Sequence, residues 1–192
     1  MKHLHIAIST RTLTSPGGFL FDAYERGFNH MFAGHNIVPV LNRLQSFERI
    51  ADTTDLLVLS GGDDHPTRLK AEIEMIKQYR EREKPILGIC HGAFLLTQLW
   101  GGECVDCIRN HRKTEHIVTS DKYNKTVNSY HGSSISSPPP DATTLVVDAD
   151  GYCESWIYPE RKTAVVVWHP ERDIKGEHWV PDEILNLIEK ET

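Results

Sequence analysis

No stretch of this 192-residue sequence approaches the ~20 consecutive apolar residues that a membrane-spanning helix needs. Positive charge is scarce too: 21 Lys and Arg stand against 27 Asp and Glu, a formal charge of −6 with His neutral. That balance argues against a general electrostatic hold on nucleic acid or on an anionic membrane surface. Cysteine is sparse at four. This is too few for a disulfide scaffold, and a reducing compartment would keep all four as thiols. There is no internal repeat of solenoid length and no low-complexity linker, so residues 1–192 are expected to form one domain. The amino terminus turns polar at Ser9-Thr10-Arg11, too early for a signal peptide, and the expected compartment is the cytoplasm.

What is present is an ordinary globular composition, 39% apolar and 25% charged. Short apolar runs at 4–8, 37–41, 56–59 and 86–89, flanked by Gly, Pro, Asp or Ser, read as buried parallel strands. Helical spacing joins Phe21, Tyr24, Phe28, Met31 and Phe32 up to Gly34. A second stripe holds Leu69, Ile73, Ile76 and Tyr79, with charged residues opposite and Pro85 beyond its end. The third, 91–100, is apolar almost all round and is stopped by Gly101-Gly102, which predicts a buried helix. Alternation of strands and helices implies right-handed βαβ units and an α/β fold, a mostly parallel central sheet flanked by helices. After residue 112 the pattern changes to strands at 116–119, 126–129, 144–147, 152–157 and 164–168. A loop is expected at 133–140, and a closing helix from about Pro181.

The most informative stretch is Gly88-Ile89-Cys90-His91-Gly92, where a buried strand runs directly into a helix. Glycine two positions to either side makes Cys90 the thiol counterpart of a nucleophile elbow. Unpaired N–H groups at the helix start favour thiolate over thiol. A second strand ends in Trp168-His169-Pro170-Glu171. Strand ends on one edge of a parallel sheet converge, so His169 can serve Cys90 as base while Glu171 orients the imidazole. Ser60-Gly61-Gly62 follows a third strand. Backbone N–H groups of Gly61 and Gly62, with that of His91, suit the oxyanion of an acyl-transfer intermediate. Taken singly, each feature has an ordinary reading: a buried cysteine, one of eleven histidines, a common βα turn. Jointly they point to nucleophilic catalysis.

Other residues compete. Cys104-Val105-Asp106-Cys107 with His111 has a zinc-knuckle spacing but no obvious fourth ligand, although Cys153 is a candidate. The expectation is that they bind no metal. His131 is a weaker rival for the base because no Pro-Glu pair follows it. Arg11 and Glu154 suit contacts to substrate charges, with surface salt bridges as the plainer role.

These motifs, in this order, resemble the class I glutamine amidotransferases, and the chain is similar to their γ-glutamyl hydrolase-like branch. The likeness runs through Leu56 to Trp100, Val127-Asn128-Ser129-Tyr130-His131-Gly132, Asp150-Gly151-Tyr152-Cys153-Glu154 and Trp168-His169-Pro170-Glu171. It implies Cys90 as nucleophile, His169 as base, Glu171 as its partner, and Gly61, Gly62 and His91 as oxyanion hole. Ser129, Tyr130 and His131 would line the glutamyl pocket, with Arg11 and Phe94 as further substrate contacts. The substrate would be a small-molecule γ-glutamyl amide, cleaved through a γ-glutamyl thioester without metal or organic cofactor. Phe94 stands where the family commonly has Gln, and Val167 where Gln is frequent. The segment between Asp64 and Leu69 is also shorter than in typical γ-glutamyl hydrolases, which implies a more open leaving-group side. The compact form, with Thr10-Arg11 after the first strand, is similar to the γ-glutamyl-CDP-amidate hydrolase subgroup of capsule biosynthesis. Two alternatives remain: a glutaminase subunit that passes ammonia to a separate synthase, and a non-hydrolytic binding module or thiol sensor. The intact Cys90, His169 and Glu171 set argues against the last.

Overall fold

The computed structural model describes residues 2–43, 46–106, 112–173 and 175–192. In chain order the first half forms β1 (His5–Ser9), β2 (Arg11–Thr14), β3 (Leu20–Ala23), α1 (Phe28–Met31), β4 (Asn36–Val40), α2 (Phe47–Thr53), β5 (Leu56–Leu59), α3 (Pro66–Glu81), β6 (Ile86–Ile89) and α4 (His91–Leu99). The second half forms β7 (Glu103–Asp106), β8 (Arg112–Thr119), β9 (Asn124–Tyr130), β10 (Ser133–Ser137), β11 (Thr143–Val147), β12 (Cys153–Tyr158), β13 (Thr163–Val166) and α5 (Asp182–Glu191).

The expected α/β architecture is present. The main sheet runs β4-β1-β5-β6-β13-β12-β11-β8-β9, parallel from β4 to β13 and antiparallel beyond. Strand β12 also carries a branch through β10 to β7. Every residue of β5, β6 and β13 is buried, as central strands covered on both faces require. Alternation divides them between two cores. Leu56, Val58, Leu87 and Ile89 face Phe28, Ile184 and Leu187, whereas Leu57, Leu59 and Ile86 face Met75, Ile76, Tyr79 and Leu96. Helices α1 and α5 therefore cover one face, and α2, α3 and α4 the other.

Four expectations change. Residues 21–32 are not one helix: β3 pairs with β2 as a separate hairpin, and only a short α1 follows. The apolar periodicity misleads there because Leu20 and Phe21 face solvent. The hairpin is held instead by Asn42, whose side-chain amide donates to the Thr10 carbonyl, Thr12 Oγ1 and Asp22 Oδ1. Residues 133–137 form a strand rather than a loop, since Ile135 is fully buried between β7 and β12 despite its serine neighbours. In α3 the buried stripe is rotated: Leu69 and Ile73 are exposed, while Arg68 and Glu72 are buried. Helix α4 is buried through Leu95 and Leu96, but Leu99 at its end is exposed.

Candidate active site

Cys90 stands at the junction of β6 and α4 with φ 51° and ψ −104°, a sparsely populated conformation that costs about 1–3 kcal/mol for a residue with a Cβ. The surroundings enforce it. Its N–H donates to the Val166 carbonyl of β13 at 3.0 Å, and its carbonyl accepts from Phe94 N at 3.1 Å. A Cβ on Gly88 would lie 2.7 Å from the Gly92 backbone, and one on Gly92 would overlap the Leu59 carbonyl. The flanking glycines are thus the condition for packing β5, β6 and α4 this closely.

His169 follows β13 and is 1% exposed. The 3-10 turn Pro170–Arg172 folds Glu171 back so that His169 Nδ1–H donates to Glu171 Oε1 at 2.6 Å. Burial alone would lower the imidazole pKa, but hydrogen bonds to the Cys90 thiol and to Glu171, with the charges of both groups, raise it to about 9. Two residues to which the sequence reading gave no role of their own complete the setting. Asn128 on β9 clamps the histidine backbone, its amide donating to the His169 carbonyl at 2.8 Å and its oxygen accepting from His169 N at 2.9 Å. Arg172 lies over the Tyr130 ring at 4.8 Å, and that ring meets His169 edge-on at 5.4 Å.

The loop after β5 lies directly against this pair. A Cβ on Gly61 would overlap His169 Cε1, so only glycine leaves the imidazole its place. Gly62 has φ +129°, and its Cβ would lie 2.5 Å from Arg11 Cδ and 2.7 Å from Arg68 Nη1. A buried ionic network fixes the loop from beneath. Arg68 Nη1 donates to the Gly61 carbonyl at 3.1 Å, Nη2 to the Ser60 carbonyl at 2.5 Å, and Nε to Glu72 Oε1 at 3.0 Å. Glu72 also accepts from Ser9 Oγ at 2.7 Å, and its Oε2 lies 2.7 Å from His91 Nε2. His91 Nδ1 in turn reaches Asp64 Oδ1 at 2.7 Å. Burial would raise the Glu72 carboxyl, but the His91 hydrogen bond, the Arg68 and His91 charges and Ser9 hold it below the ordinary range. Arg68 and Glu72 had a readable signal, since they fall in step with Met75, Ile76 and Tyr79 at helical spacing.

Beside Cys90 opens a cleft of about 620 Å³ lined by Gly62, His91, Phe94, Tyr130 and His131 among others. The structure thus gathers Cys90, His169, Glu171, Gly61, Gly62, His91, Phe94, Tyr130 and His131. It does not bring Ser129 to the cleft lining, since Ser129 is buried within β9. Arg11 lies against Gly62 but directs its guanidinium to Glu25 at 3.0 Å. His131 donates Nδ1–H to the Ser133 carbonyl at 2.7 Å, with Nε2 3.8 Å from Glu154. Cys104 is a half-buried free thiol whose pKa burial pushes up to about 11. Cys107 and His111 lie outside the described residues.

Among the described residues no helix is long and apolar enough to cross a membrane. Residues 22–185 match the family profile of the class-I glutamine amidotransferases. The chain is 28% identical over 160 residues to the carbamoyl phosphate synthase small chain of Sulfurisphaera tokodaii, covering 80% of this chain and 41% of that one. It is 26% identical over 126 residues to the γ-glutamyl-CDP-amidate hydrolase of Campylobacter jejuni, covering 61% of this chain and 62% of that one. Its fold matches the crystal structure of a glutamine amidotransferase from Thermotoga maritima with a TM-score of 0.69. That match is at 18% identity and covers 99% of this chain and 86% of the other.

Proposed function

The chain belongs to the class I glutamine amidotransferase family, and from that premise we propose that it is a cysteine-nucleophile hydrolase of γ-glutamyl amides. One observation carries the reading: Cys90 at the elbow and the His169–Glu171 pair meet at the end of the parallel sheet, beside a cleft. In this mechanism the Cys90 sulfur attacks the γ-carbonyl, and the oxyanion is met by backbone N–H groups of Gly61, Gly62 and His91. His169 gives its proton to the departing amine as the C–N bond breaks, with Glu171 holding the ring in the required tautomer. Water, deprotonated by His169, then cleaves the γ-glutamyl thioester to release glutamate and regenerate the thiol. None of these steps calls on a cofactor.

The substrate within this class is a γ-glutamyl amide larger than glutamine. Phe94 lines the cleft where the family resemblance places Gln, which removes a polar hold on a small substrate. Similarity to the Campylobacter jejuni hydrolase supports a nucleotide amidate as one such leaving group. The measurement is steady-state release of glutamate by the purified chain from glutamine and from γ-glutamyl peptides, polyamine conjugates and nucleotide amidates. The expected result is a higher kcat/KM for a larger amide, with no turnover by Cys90→Ala or Cys90→Ser. Full activity in Cys90→Ala overturns the mechanism. Similarity to a carbamoyl phosphate synthase small chain favours a second reading, a glutaminase subunit. Turnover of glutamine alone, and only after a synthase is added, decides for it.

A further inference from the structure

Behind the cleft wall, a second group of ionisable side chains is brought together from three separate strands or strand ends. His116 lies on β8, His131 just beyond β9, and Glu154 on β12. One ligand atom from each, all mutually within 4.8 Å, surrounds a common point. We propose that His116, His131 and Glu154 bind a divalent transition-metal cation of the zinc class, which fastens the β8–β9 ribbon to the main sheet.

Distance is the first argument. Where histidine and carboxylate pair directly in this protein, they close to hydrogen-bonding range: 2.6 Å for His169–Glu171 and 2.7 Å for His91–Glu72. At Glu154 they do not. His116 Nε2 is 3.4 Å from Oε2, and His131 Nε2 is 3.8 Å from Oε1. Two ligands bound tetrahedrally at about 2.0–2.1 Å from one ion sit about 3.4 Å apart, so the wider spacing suits an intervening cation. Burial is the second argument. The Glu154 side chain is 0% exposed, and neither oxygen receives a well-formed hydrogen bond, a costly state for a carboxylate that a bound cation relieves. The third is the tautomer of His131. Its Nδ1–H donates to the Ser133 carbonyl, which turns the Nε2 lone pair toward Glu154. Metal-bound histidines are commonly oriented by such a backbone carbonyl. Two imidazoles and one carboxylate suit zinc, cobalt or nickel better than magnesium or calcium.

The placement assigns a structural role. Ribbon β8–β9 meets β11 at one register position among the described residues, Val147 opposite Thr119. An ion joining β8 and the end of β9 to β12 would brace the strand that carries Asn128.

The test uses the untagged full chain, because a histidine tag binds the same ions. Metal content is measured after purification and after titration with Zn2+ against a competing chelator. Parallel samples are Cys90→Ser, which removes the nucleophile's sulfur as a ligand, and His116→Ala. The proposal expects about one Zn2+ per chain in the native protein and in Cys90→Ser, and little in His116→Ala. Chelation should lower Tm, and Zn2+ should restore it. Co2+ should give the visible spectrum of a nitrogen and oxygen tetrahedral site without a thiolate charge-transfer band. Failure of the folded native chain to take up Zn2+ or Co2+ overturns the proposal whether or not His116→Ala folds. Retention of the ion by folded His116→Ala, or its loss in Cys90→Ser, overturns it as well.

Discussion

Taking a histidine out of water favours its neutral form, because desolvation penalises the cation. His169 is almost fully buried and yet holds its proton up to about pH 9, since Cys90 and Glu171 together outweigh the cost of burying the cation. Two consequences follow from the sign of that shift. The folded pKa lies above the unfolded value of about 6.5, so the stability it contributes is complete below that pH and is lost as pH rises through about 9. Under the proposed mechanism, the same proton is the one given to the leaving amine. The pH profile of kcat/KM should therefore fall on an alkaline limb near pH 9, and Glu171→Gln should move that limb to lower pH. His169→Ala should cost about 10²–10⁴-fold in rate. A profile that stays level well past pH 9 would detach His169 from the acid role.

At the scale of elements, helix α3 supports the loop after β5 through two side chains that look like a solvent face in the sequence. Arg68 holds the Ser60 and Gly61 carbonyls, and Glu72 holds Arg68 and His91 together. Glu72→Gln leaves the shape but removes the charge that the buried guanidinium requires. The expected cost is about 3–5 kcal/mol of stability. Among molecules that remain folded, kcat should fall with KM little changed, because the loop rather than the cleft is disturbed. Unchanged kcat in folded Glu72→Gln would limit the network to a structural role. The same helix shows why part of the site was legible and part was not. Strands β5 and β6 announce themselves, since central parallel strands are continuously apolar, and the glycines around Cys90 mark the turn by steric need. The burial of Arg68 and Glu72 was legible from their helical step with Met75, Ile76 and Tyr79, but their hold on the loop after β5 was not, nor was the role of Asn128. That hold depends on which loop carbonyls the fold sets against Arg68, and the role of Asn128 on the His169 backbone, distant in the chain. The β2–β3 hairpin was hidden by apolar side chains, Phe19, Leu20 and Phe21, that face outward.

Across the whole molecule the sheet has two halves of unequal protection. Its parallel half lies under helices on both faces, and β5, β6 and β13 are buried at every position. The β8–β9 ribbon lies at the far edge, with most residues of β8 exposed. Local opening of a segment costs less where fewer apolar contacts are broken and more of its backbone hydrogen bonds face solvent. Backbone amides of β8 and β9 should therefore exchange with deuterium well before those of β1, β5, β6 and β13 in the same sample. The ribbon is not idle, however: Asn128 on β9 makes two hydrogen bonds to the His169 backbone. That clamp ties the less protected half to the better protected one. Asn128→Ala should accelerate exchange along β9 while leaving β5 and β6 unaffected. It should also lower turnover without abolishing it, because His169 keeps its Glu171 partner but loses its backbone anchor. Equal exchange rates in the two halves, or an Asn128→Ala chain that matches the native one in both readouts, would mean that the sheet opens as one unit and that the clamp contributes nothing.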